Sequence, residues 1–168
     1  MKKMKRLVAV LLAGIMALAV LTACGGTPSA PVTRDEALEK SVAEWTVELG
    51  KGAKLELTQD ATLTSISDKC LSAMVKIYEA KDEDAAKAAE KELKKAFVAA
   101  TKGKKVAPVA VYIPGTNVTK DALAQAVQKD MSNIQTDLER FGVNKPTKFG
   151  VTATKQKDYT LILFMVSE

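Results

Sequence analysis

Lys148–Glu168 reads KFGVTATKQKDYTLILFMVSE, and its patterning decides the fold. From Thr147 to Thr154 residues alternate, with Phe149, Val151 and Ala153 on one side, as expected of a strand with one apolar face. Lys155-Gln156-Lys157-Asp158 is a polar four-residue turn. Tyr159 to Val166 is then apolar at almost every position, so it must be buried on both faces. Two strands joined by so short a turn form an antiparallel hairpin. The second belongs in the interior of a sheet, with helices over each side.

The preceding segments supply those helices. Leu123, Val127, Met131, Ile134, Leu138 and Phe141 recur at steps of four and three, which predicts a helix from about Lys120 to Phe141. Thr119 is its cap, Gly142 closes it, and Pro146 prevents continuation. Val106 to Ile113 (VAPVAVYI) reads as a strand. Pro108 lacks a backbone donor, so this strand belongs at a sheet edge or begins near the proline. A helix over about Asp84 to Thr101 is rich in Ala, Lys and Glu, with a thin apolar side of Ala85, Ala89, Leu93, Ala96, Phe97 and Ala100. A further helix over about Ala61 to Ala80 buries Leu63, Ile66, Cys70, Leu71, Met74, Ile77 and Tyr78. Leu55 and Leu57 lie in a short extended piece before it. The first helix runs from Arg34 to about Leu49, capped by Thr33 and ended by Gly50, with Leu38, Val42, Trp45 and Leu49 in one stripe.

The expected architecture is α+β. A small, mainly antiparallel sheet of three to four strands lies between helical layers built from about four helices, an α-β-α sandwich ending in the hairpin.

The amino-terminal segment is of another kind. Lys2, Lys3, Lys5 and Arg6 precede an uncharged apolar run from Leu7 to Val20. That run is about 14 residues long, within the length of a signal-peptide core and short of the roughly 20 needed to span a bilayer. Leu21-Thr22-Ala23-Cys24 follows, and this tetrapeptide resembles the lipobox of bacterial lipoproteins. The resemblance implies cleavage between Ala23 and Cys24 and acylation of the Cys24 thiol. It predicts a signal peptide over residues 1–23, a flexible tether over 24–32 (GGTPSAP at its centre), and one folded domain over 33–168. The expected location is the extracytoplasmic face of the cell membrane, with membrane lipid as a partner through acylated Cys24.

The leader carries four of the 25 basic residues and none of the 20 acidic ones. The remaining chain is thus nearly neutral at about +1, so no nucleic-acid partner is expected. With Cys24 lipidated, Cys70 has no disulfide partner, and its helical spacing marks it as a small core residue. The sequence holds no histidine, which removes Ser-His-Asp triads, Cys-His nucleophiles and imidazole-ligated zinc. No metal or other cofactor is expected.

LELTQDATLTSISDKCLSAM, with Leu57, Asp60 and Leu63, and the closing hairpin, with Phe149-Gly150-Val151 and Tyr159 to Phe164, resemble the CAP domain of the SCP-like secreted proteins. The family's cavity is typically marked by two histidines with two acidic residues. Without histidine, the resemblance implies a degenerate member with no inherited metal or catalytic site. The expected function is a non-enzymatic domain that binds a small ligand or an envelope protein. One alternative is a cell-wall hydrolase using carboxylates alone, with Asp60, Glu56 and Asp68 as candidates. The other is an accessory docking lipoprotein using the Ala-rich helix and the basic run Lys102-Gly103-Lys104-Lys105. Trp45 is expected in the core, with ligand stacking as its other possible role.

Overall fold

The computed structural model describes residues 32–168. The elements in chain order are α1 (Glu36–Gly52), β1 (Thr58–Gln59), α2 (Ala61–Glu79), α3 (Glu83–Thr101), β2 (Ala107–Pro114), α4 (Lys120–Lys129), α5 (Met131–Arg140), β3 (Lys148–Lys155) and β4 (Tyr159–Ser167). They form an α+β fold around a four-stranded sheet ordered β1-β3-β4-β2. β4 is antiparallel to both neighbours, with Val151 opposite Phe164 on one side and Val111 opposite Ile162 on the other. The doubly apolar run therefore occupies the interior. β2 is the edge strand that tolerates Pro108. The one parallel pair, Thr58–Gln59 beside Lys148–Phe149, makes the sheet mixed.

One face of the sheet collects Phe149, Val151 and Ala153 of β3, Ile162 and Phe164 of β4, and Val109, Val111 and Ile113 of β2. Leu38, Val42 and Ala43 of α1 and Leu123 of α4 close over it, and Trp45 is half-buried at its margin. A Lys120–Glu48 ion pair ties α4 to α1. The other face carries Gly150, Thr152, Leu161, Leu163 and Met165, and α2 lies against it. There the buried Ser67 hydroxyl donates to the Leu163 carbonyl oxygen at 2.7 Å and shares a 2.7 Å hydrogen bond with the Thr152 hydroxyl. α3 packs on α2 through Ala86, Ala89, Leu93 and Phe97. The Lys76–Glu92 pair between these helices is exposed at its carboxylate and is worth at most about 1 kcal/mol. Each large apolar side chain buried beneath contributes about 1.5–3 kcal/mol, so packing holds the pair together.

Local chemistry explains the boundaries. Asp35, Asp60, Asp82 and Thr119 each accept a hydrogen bond from a backbone N–H of the following first turn. Asp35, not Thr33, caps α1, which runs through Gly50 to Gly52; the Thr33 carbonyl instead accepts from Thr154. Leu55 and Leu57 lie outside the strands, and Thr58–Gln59 forms β1. The stripe from Leu123 to Phe141 is divided between α4 and α5 rather than forming one helix, giving five helices among the described residues. At Asp130 (φ −103°, ψ 10°) the backbone leaves helical geometry, and its N–H is shared between the Ala126 and Val127 carbonyls. Met131 is thereby turned out of the stripe and is 51% exposed.

Candidate functional site

β1 covers only the start of β3, so the strand's second half would present an open edge. Side chains and the segment before α1 close it. Ala153 N–H donates to Glu39 Oε1 at 2.9 Å, and Asp35 N–H donates to the Ala153 carbonyl at 2.9 Å. Glu39 is buried, and Arg34 clamps it with Nε on Oε1 at 2.9 Å and Nη2 on Oε2 at 2.5 Å. Arg34 also faces Asp68 at 3.5 Å, while Lys155 Nζ lies 2.7 Å from Asp35. The hydrogen bond from Lys155, followed by that from Leu38 N–H, holds the Asp35 carboxyl below its ordinary range. Thr33, Arg34, Asp35, Glu36 and Lys155 line an open depression here. Arg34, Asp35 and Lys155 are already paired there, which marks a clasp on the sheet edge rather than a waiting receptor.

The three candidate carboxylates have separate settings. Asp60 caps α2, where the Leu63 N–H lowers its pKa. Asp68 pairs with Arg34, and Glu56 is exposed before β1. Among the described residues, no group of three or more Cys, Asp or Glu is placed to hold a metal ion. Cys70 is fully buried, and burial pushes its thiol up to about 12. In a Cys24→Ser chain, a thiol-exchange reagent will therefore label Cys70 at an appreciable rate only after urea unfolding; rapid labelling of the folded protein would contradict this placement. Lys102 takes the left-handed conformation at the C-terminus of α3, with its N–H on the Val98 carbonyl. The basic run thus begins as a helix stop, where cations are favoured.

All three tyrosines of the chain meet on the α2 side of the sheet. Tyr112 of β2 stacks on Tyr78 of α2 with centroids 5.6 Å apart and planes within 15°. It stacks on Tyr159 of β4 at 5.1 Å and 23°. Tyr78 and Tyr159 are half-buried, 6.3 Å apart and tilted by 35°, and the three rings together form a continuous aromatic slab. Tyr112 is 43% exposed and opens that slab to solvent. The Tyr159 hydroxyl donates to the exposed Glu79 carboxylate at 3.4 Å. Burial pushes the Tyr78 phenol up to about 12, and the Asp130 carboxylate and Tyr112 add to the shift. Burial followed by Glu79 raises Tyr159 further. Both phenols are thus neutral hydrogen-bond donors at pH 7.

Sequence reading missed this site. Tyr78 was absorbed into a helix stripe, and the other two tyrosines into strands. The available signal was that Tyr112 occupies the position between Val111 and Ile113, opposite the apolar face of an edge strand.

Ala23 and Cys24 lie outside the described residues. Among the described residues, no helix is long and apolar enough to cross a membrane. No family model, curated protein or solved structure matches the chain.

Proposed function

We propose that this chain is a lipid-anchored, non-enzymatic binding module on the extracytoplasmic face of a membrane, and that its contact surface is the tyrosine slab. The observation carrying the binding role is the exposure of Tyr112 over two supporting rings. A large aromatic left open to water beside a packed sheet is a ready surface for a ligand. The anchor is supported by the basic start, the apolar run of signal-peptide length and the Leu21-Thr22-Ala23-Cys24 lipobox. Kinship with the CAP domain belongs to the same proposal. It rests on Leu57, Asp60 and Leu63 around the start of α2 and on the β3–β4 hairpin, and brings no histidine site with it.

Expression of the full chain in a bacterial host tests the anchor. The wild type will remain with the membrane pellet after a salt wash, and its mature mass will match a chain starting at an acylated Cys24. Cys24→Ser will abolish the acylated species. An unacylated wild-type chain in the cytosolic fraction would refute the anchoring.

A further inference from the structure

Resting on that reading of the slab, we infer that its ligand carries a cationic group, a quaternary or protonated ammonium, held on the exposed tyrosine surface beside Glu79. An aromatic face carries a partial negative charge and attracts a cation placed over it. The three ring centroids lie 5.1–6.3 Å apart, with Tyr112 stacked on both neighbours and the Tyr78–Tyr159 pair tilted by 35°, so the exposed part of Tyr112 is the face offered to solvent. The charged groups acting on the two half-buried phenols have the matching sign. Glu79 lies beside Tyr159, and Asp130, where the chain breaks between α4 and α5, acts on Tyr78. Lys155, opposite Thr160 in strand register, is engaged by Asp35. Glu79 is exposed, its only described partner is the long hydrogen bond from Tyr159, and it can face an incoming ammonium. An anionic ligand would meet repulsion from Glu79.

The test uses the full chain in neutral maltoside micelles, with ring-labelled tyrosine giving one set of signals per ring. Tetramethylammonium will shift the ring signals saturably at constant ionic strength, whereas tert-butanol, similar in size and uncharged, will not. Tyr112→Leu and Glu79→Gln will each weaken binding about two- to five-fold, as expected for one partly exposed cation–aromatic or charge contact. Glu79→Gln should retain the wild-type unfolding midpoint within a few degrees, because Glu79 is solvent-facing; Tyr112→Leu loses two ring contacts, so its binding is read below its own unfolding midpoint, with folding confirmed by circular dichroism. Undiminished ammonium binding in both variants would place the cation elsewhere and overturn the inference, whereas equal shifts with tert-butanol would overturn the cationic ligand while leaving the slab a binding surface. Shifts caused only by a neutral N-acetylglucosamine oligomer would do the same. An absence of response to all three probes would remove the cationic ligand and the slab's binding role together.

Discussion

Gly150→Ala will destabilise the protein by about 4 kcal/mol or more, and at 37 °C much of the variant will be unfolded. Gly150 sits in β3 where the first turn of α2 crosses it. A Cβ there would lie 2.0 Å from the Thr64 backbone nitrogen and 2.1 Å from the Leu63 carbonyl carbon. Both are main-chain atoms of a helix, so no side-chain rotation relieves the clash. α2 must retreat by about an ångström or more, whereas ordinary overpacking, which shifts side chains, costs about 1–3 kcal/mol. Retreat also strains the Ser67 bonds to Thr152 and Leu163 and opens the layer beneath Leu63 and Ile66. With total stability of about 5–15 kcal/mol, the loss is a large fraction of the whole. Urea unfolding followed by far-UV circular dichroism measures it. Gly52→Ala is the control, since a Cβ there has nothing within 4 Å, and its effect should be within about 1 kcal/mol. A Gly150→Ala midpoint equal to the control's would mean that the helix does not approach the strand this closely.

The next largest effect is expected at Glu39. Glu39→Ala leaves the Ala153 N–H, on a strand buried at that point, without an acceptor, and frees Arg34 from a buried partner. Removing one member of a fully buried pair costs about 3–5 kcal/mol. The Arg34 side chain is 31% exposed and can recover water, so about 2–4 kcal/mol is expected. Glu39→Gln keeps an oxygen for Ala153 and loses the charge-assisted bonds to Arg34, so its cost should be roughly half. Paired denaturant curves check the order. Equal losses in the two variants would show that Arg34 pairing, rather than closure of the strand edge, is what Glu39 provides.

The hairpin was legible because both of its strands announce themselves locally. Phe149, Val151 and Ala153 alternate with Gly150 and Thr152, and Leu161 to Met165 leave no polar face. The Ala61–Glu79 helix was legible for the same reason, since its stripe is long and Asp60 caps it. The division at Asp130 was hidden because the stripe continues across it in perfect phase; no glycine or proline interrupts it, and the backbone break that leaves Met131 exposed has no mark in the sequence. β1 was hidden because two residues carry no pattern. The clasp was hidden because Glu39 reads as an ordinary polar helix residue until β3 is set beside it. The tyrosine slab joins α2, β2 and β4 across long stretches of chain, and no local rule brings them together.

The central position of β4 has a consequence for biogenesis. Among the described residues, β2 has β4 as its sole partner in the sheet, and β3 has only the two-residue β1 besides. Both are synthesised before it. Until those later residues emerge, the nascent polypeptide carries two unsatisfied ribbons and cannot complete its ladder. That delay places the greatest demand for chaperone protection in the interval before Tyr159–Ser167 arrives.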